Sequence, residues 1–308
     1  MTVLPGPAVE TIAAERVQLD ERFATVTGDD RVDRLFTGGR WLEGPVHVPA
    51  YRCLLFSDIP NDRMLRYDEV SGAVSLFRQP AGNTNGHTLD TEARLVSCEH
   101  GNRRVTRTEH SGAITVLADG YEDGRLNSPN DVVVKRDGSI WFTDPPYGSL
   151  SDYEGHKGDL EIGGCHVYRI DPDSGELTAV ATDFVRPNGL AFSLDESKLY
   201  VVDTPEKHIR VFGVTDDGGL TGGEVFAPCT AGVFDGIRLD TEGRVWAATG
   251  EGAHCFADDG TLIGKLLLPE ATSNLTFGGP KRNRLYLTAT TSLYSWLCTA
   301  NGAPQPFD

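Results

Sequence analysis

The chain has no apolar run long enough to cross a bilayer, and its first residues, MTVLPGPAVE, lack the basic start and apolar core of a secretory leader. No membrane partner is expected, and the expected compartment is cytoplasmic, or periplasmic if a leader has been removed. Positive charge is scarce: 28 Lys and Arg against 45 Asp and Glu leave a net charge of −17. Nucleic acid and anionic membranes demand clustered cations, so neither is expected as a partner, whereas a bound cation is compatible. The six cysteines (Cys53, Cys98, Cys165, Cys229, Cys255 and Cys298) form no C-x-x-C pair and are expected to be reduced. The sequence has no G-x-S-x-G elbow, no H-E-x-x-H, no P-loop and no G-x-G-x-x-G after a strand, so none of those chemistries has its motif here.

Turn formers are plentiful, with 35 Gly and 17 Pro, which points to many short strands. Six runs look alike: LLFSD ending at 58, LVSCE at 99, IWFTD at 144, LYVVD at 203, VWAAT at 249 and LYLTA at 289. A recurrence of roughly 40–50 residues built from strands, without a 3.6-residue period, is the mark of propeller blades. Polar turns with Gly follow five of the runs, as in YDEVSGAV and IDPDSGEL, and read as hairpins; the second is not an EF-hand loop, because its counterparts are plain turns. The expected fold is all-β, a six-bladed β-propeller of four-stranded blades around a central channel, filling residues 1–308 as one domain. Residues 32–37 would complete the last blade as its outer strand, removing an exposed edge. Residues 1–31 would form a capping segment, with a short helix over residues 9–23.

One polar position recurs about 14 residues before the end of each run: Glu43, Asn85, Asn130, Asn188, Asp235 and Asn274. Gly follows it in four of the six, and Asn-Gly or Asp-Gly alone would signal a turn. Glu43 is no turn former, however, and every slot holds Glu, Asp or Asn. These residues begin the inner strands, so they should converge at one mouth of the channel. Two carboxylates there repel unless a cation lies between them, and an all-oxygen donor set suits Ca²⁺, with Mg²⁺ or Mn²⁺ tolerated. A dedicated Zn²⁺ site would more often include His or Cys. Segments after the six runs should roof this mouth, the longest being residues 149–164, a Gly-rich stretch that reads as a lid. Of the histidines near the mouth, His87 and His100, the former is the better candidate for substrate contact.

EGP at 43–45, CEHGNRRV at 98–105, NSPNDVVV at 127–134, FTDPPYG at 142–148, PNG at 187–189 and DG at 235–236 together resemble the regucalcin/gluconolactonase (senescence-marker-protein-like) family, and its bacterial gluconolactonase branch more than the animal one. Ser128 stands where the animal branch carries a substrate-contacting Arg, so that contact does not transfer. The resemblance implies hydrolysis of aldonolactones with a divalent cation, held by Glu43, Asn130, Asn188 and Asp235. Zn²⁺ thereby joins the candidate metals, and Asn85 and Asn274 become substrate or supporting residues.

The expected function is therefore a metal-dependent lactonase acting on a small sugar lactone such as D-glucono-1,5-lactone, as a monomer or small homo-oligomer. Asp235 is the expected general base and Asp131 the reserve; Asn85, His87, Asn130 and Tyr147 are expected to meet the substrate. A phosphotriesterase or fluorophosphatase on the same scaffold, or a non-catalytic Ca²⁺-binding propeller, are the alternatives.

Overall fold

The computed structural model describes residues 9–307. Its six principal sheets are antiparallel and radiate from one axis as the blades of a six-bladed propeller. Blade 1 consists of Leu42–Val48, Cys53–Asp58, Arg63–Asp68 and Val74–Arg78, and blade 2 of Thr84–Leu89, Leu95–Glu99, Arg104–Thr108 and Ile114–Ala118. Blade 3 contains Val132–Val134, Ile140–Asp144, Cys165–Ile170 and Leu177–Phe184; blade 4 contains Pro187–Phe192, Lys198–Asp203, His208–Val214 and Leu220–Pro228. Blade 5 contains Ile237–Leu239, Val245–Thr249, Gly252–Phe256 and Leu262–Leu267. Blade 6 takes Thr272–Gly278, Arg284–Ala289 and Ser292–Leu297 from the end of the chain and Arg31–Thr37 from near its start, paired Ser292 to Thr37. No helix of the described residues is long and apolar enough to cross a membrane.

The second strand of each blade is covered on both faces, which is why it reads as a continuous apolar run. Side chains alternate between two interblade cores. In blade 1, Leu54 and Phe56 pack toward blade 6 while Cys53 and Leu55 pack toward blade 2. In blade 3, Ile140 and Phe142 join blade 2 and Trp141 joins blade 4. The core is thus six apolar wedges, one between each pair of neighbouring blades. All six cysteines are free and five are buried, with Cys53, Cys98, Cys255 and Cys298 inside these wedges.

Residues 9–23 are not a helix. Glu10–Ala13 adds to the outer strand of blade 6, and Glu15–Gln18 adds to the outer strand of blade 5, followed by a 3₁₀ turn at Glu21–Thr25. The composition favours a helix, but two unpaired strand edges offer eight residues of ladder, and tertiary pairing overrides propensity. The part of the expected cap in residues 1–8 lies outside the described residues. The 171–175 segment is a hairpin turn, in which the Asp171 carboxylate accepts the backbone N–H groups of Asp173 and Ser174.

At the axis the blades are joined by a closed ring of hydrogen bonds. Ser57 Oγ donates to Asn85 O at 3.1 Å, Gly86 N to Asn130 O at 2.7 Å, and Thr143 Oγ1 to Asn188 O at 2.8 Å. Gly189 N donates to Asp235 O at 3.2 Å, Gly236 N to Ser273 O at 2.8 Å, and Ser273 Oγ to Leu42 O at 2.5 Å. Gly after the polar slot therefore marks close passage between blades rather than a hairpin. A Cβ on Gly86 would lie 2.4 Å from Asn130 O, and one on Gly189 would lie 2.5 Å from Asp235 O and 2.7 Å from the Gly236 Cα. Because backbone cannot yield as a flexible side chain does, Gly189→Ala should destabilise the protein by about 1–3 kcal/mol. Chemical denaturation would check this; an unchanged midpoint would mean that the ring tolerates widening.

Candidate functional site

The acid that ends a second strand has a local task. Asp144 accepts the backbone N–H groups of Asn127 and Ser128 at 2.7 and 2.8 Å, and Asp203 accepts those of Val185 and Arg186 at 2.9 and 3.0 Å. Asp58 accepts the N–H of Arg40 at 3.0 Å. Each clamp grips the chain two or three residues before a polar slot and so fixes where Asn130, Asn188 and Glu43 enter the axis. Ser128 tightens the same corner, donating to Pro145 O and accepting from Gly148 N.

The slots carry distinct arrangements. Glu43 is buried, and its Oε2 accepts from Gly44 N at 2.7 Å and from Asn274 Nδ2 at 3.1 Å. Its Oε1 has no donor among the described residues. Asn188 turns its amide nitrogen to Thr204 Oγ1 at 3.1 Å, which leaves Oδ1 free. Asn130 is buried, and its amide makes no hydrogen bond among the described residues. Burial pushes Glu43 up to about 8. Asp235 is half-buried, and lost hydration followed by the charges of Glu43, Glu154 and Asp131 raises it well above the usual carboxylate range. Two carboxylates that resist ionising together are what a cation between them would relieve.

These residues fit a divalent cation by the chemistry of their donors: Glu43 Oε1 and the Asn188 carbonyl are oxygens without competing hydrogen-bond donors among the described residues, and Asp235 adds a carboxylate that accepts from the Asn188 side chain. The Asn amides are essential to this set, for among the described residues no three His, Cys, Asp or Glu side chains gather to hold a metal. Asn274 supports Glu43 through its amide nitrogen.

Two expected residues are placed otherwise. His87 is buried inside the blades, with Nε2 2.8 Å from Ser57 Oγ and Nδ1 2.8 Å from Ser97 Oγ, so neither nitrogen is left for a substrate; burial lowers it to about 3. Asp131 is held by Arg238, whose Nη1 and Nη2 lie 3.0 and 3.3 Å from its two oxygens, and Oδ1 also accepts Val132 N. A carboxylate so held is a strut across the channel rather than a reserve base. Arg238 and His87 line a cavity of about 150 Å³ at the opposite end of the inner strands, which C-terminal residues 302–306 also line.

The roof contributes what sequence reasoning missed. Tyr147–Leu150 is one helical turn, after which the chain swings across the mouth. Tyr153 rests under the Arg40 guanidinium, 5.3 Å from its ring centroid, and donates to Arg40 O at 3.2 Å, while Glu161 pairs with Arg103 at 2.9 Å. Between these anchors Glu154 comes within electrostatic reach of Glu43 and Asp235, and burial raises it to about 6. Tyr147 has a buried hydroxyl near Asp235, beside the Thr204 and Asn188 side chains, and is pushed up to about 12 by burial. Opposite, Asn85 Nδ2 donates to His100 Nε2 at 3.2 Å. A lone Glu in a polar loop gives no pattern to find it by; His100 was visible as a mouth residue.

Residues 41–291 match the family described as SMP-30/Gluconolactonase/LRE-like region. The chain belongs to that family. A gluconolactonase of Zymomonas mobilis is 32% identical over 276 residues, covering 81% of this chain and 76% of the relative. A pentonolactonase of Haloferax volcanii is 30% identical over 264 residues, covering 82% of each. A solved gluconolactonase from Xanthomonas campestris is 37% identical with a TM-score of 0.91, covering 97% of this chain and 99% of that one. A calcium-binding regucalcin from Agrobacterium tumefaciens, 22% identical with a TM-score of 0.72, shares the fold. The expected enzyme class, a carboxylic ester hydrolase of the gluconolactonase type, agrees with these SMP-30/gluconolactonase relatives.

The raised carboxyls fix a pH dependence. A group raised on folding adds stability below its unfolded value and loses it as pH rises through the folded value. Above about pH 7 the buried neutral histidines no longer contribute, since unfolded His is neutral there as well. In chelator, Glu43 should therefore lower Tm as pH rises, and the part of that fall seen above pH 7 should end near its folded value of about 8. Glu43→Gln should flatten that fall in a calorimetric pH series; an equal slope in both proteins would contradict the assignment.

Proposed function

We propose that the protein hydrolyses a sugar lactone, an aldonolactone such as D-glucono-1,5-lactone, to the open aldonic acid, with a divalent cation held by Glu43, Asn188 and Asp235 and completed by Asn130. The observation that carries this reading is the axial pair Glu43 and Asp235, both raised, with Glu43 Oε1 free of hydrogen-bond donors among the described residues, beside an Asn188 carbonyl left free by Thr204. The gluconolactonase and pentonolactonase relatives give the substrate class. Ca²⁺ suits the all-oxygen set best; Mg²⁺ and Mn²⁺ follow, and Zn²⁺ is least suited by ligand type.

The cation would polarise the ester carbonyl and stabilise the negative charge that develops on its oxygen. Asp235 takes the proton of the attacking water as its oxygen bonds to the carbonyl carbon; its partial exposure leaves that carboxylate within reach of water. The ring C–O bond then breaks and the departing ring oxygen recovers a proton, giving the hydroxy acid. Asn130 offers an amide free for substrate, and Tyr147 presents its hydroxyl, beside Thr204 and Asn188, to the same pocket. Asn274 and Gly44 N keep Glu43 oriented.

Acid release from a panel of aldonolactones, with a fluorophosphate included, tests the substrate class. Chelation should abolish turnover and added Ca²⁺ should restore it. Asp235→Asn should lower kcat by about 100-fold or more, the range of a lost general base, with the fold kept by circular dichroism. Full lactone turnover in Asp235→Asn would remove its role, and preference for the fluorophosphate would replace the lactone.

A further inference from the structure

On the blade 2 side of the mouth, two buried polar atoms lack a well-aligned partner: Asn85 Oδ1, and His100 Nδ1, which has only the backbone carbonyl of Glu154 beside it. Both residues are almost fully buried, at 3% and 1% exposed. Unsatisfied polar atoms at that depth are costly unless something arrives to meet them. The Asn85 amide nitrogen donates to His100 Nε2, so the neutral ring carries its proton on Nδ1 and Nδ1 is a donor. That nitrogen faces lid residue Glu154, whose Oε2 is 4.0 Å away, too far for a direct hydrogen bond. One oxygen at an ordinary distance of about 2.8 Å from both atoms spans such a gap. A hydroxyl does so with its chemistry matched, accepting from Nδ1–H and donating to the carboxylate. Asn85 Oδ1 is then left as an acceptor for a second hydroxyl.

We infer that Asn85, His100 and Glu154 form a hydroxyl-recognition subsite that binds a pair of neighbouring hydroxyls on the polyhydroxy lactone, with Glu154 supplied by the lid. The inference rests on the lactonase reading. It explains why a carboxylate sits on the lid: Glu154 meets the substrate only when residues 149–164 lie across the mouth, so recognition of a hydroxyl and coverage of the site are one event. It also sets a limit on substrate. A neutral ring donor facing a carboxylate suits an uncharged hydroxyl, whereas a phosphate or carboxylate substituent there would face Glu154 directly.

The test compares kcat/KM for the parent aldonolactone and each of its monodeoxy analogues, in the wild type, Glu154→Gln and His100→Leu. In the wild type, one analogue should fall by roughly 10–100-fold, the worth of hydrogen bonds to a charged and a buried partner. Both variants should lose a similar factor on the parent lactone, mainly through KM, and should show little further loss with that same analogue. The other analogues should fall by their own factors in all three proteins. Uniform losses on every lactone, or no loss on the parent in the well-folded Glu154→Gln protein, would overturn the subsite while leaving the lactonase reading intact. A wild type that turns over no lactone would overturn both.

Discussion

Six β-strands can start at a common axis only if their backbones nearly touch, and the protein solves this with the ring of interblade hydrogen bonds. Every junction has one: a Gly N–H at three, and a hydroxyl from Ser57, Thr143 or Ser273 at the others. The ring has two consequences. It demands Gly where an inner strand crosses its neighbour, since any side chain there strikes backbone or the Asn274 amide. It also leaves the preceding side chain nowhere to go except into the well. The polar slots are thus placed by packing of the chain rather than by their own attractions.

That placement is electrostatically unfavourable without a partner. Glu43 and Asp235 are forced close, with Asp131 and Glu154 adding charge. The fold relieves this selectively. Asp131 is neutralised by Arg238 from two blades away, and Glu43 has one oxygen committed to two donors. Asp235 has the Asn188 side chain as a hydrogen-bond donor and still stays raised. A carboxylate so poorly compensated at the axis is a common signature of a site whose partner arrives from outside.

Much of this was legible in the sequence because the repeat is periodic in two ways. Two-sided burial turned the second strands into apolar runs, and the axial constraint turned the slot into polar-then-Gly. What was not legible lacked a period. Glu154 belongs to the single long loop, and its position depends on how Tyr153 and Glu161 anchor that loop to Arg40 and Arg103, far away in sequence. The Asp131–Arg238 pair joins residues in different blades, so the sequence suggested a base where the fold uses a strut. His87 lay in the right segment, but two positions beyond the slot its ring enters the blades between Ser57 and Ser97 instead of the mouth. For residues 9–23, helix-favouring composition lost to unpaired edges that exist only once blades 5 and 6 are built.

Two early strands, Glu15–Gln18 and Arg31–Thr37, find their partners only in the last two blades. On the ribosome these strands wait for more than two hundred residues of synthesis before Leu262–Leu267 and Ser292–Leu297 emerge. The last blade is a latch between an early strand, Arg31–Thr37, and a late one, Ser292–Leu297. A nascent chain stopped before residue 292 cannot seat Arg31–Thr37, and Glu43 then lacks the blade 6 Asn274 clamped in a finished ring. Closing the ring and completing the candidate site are therefore the same step, and chains cut short of residue 292 are left with an open, protease-accessible edge.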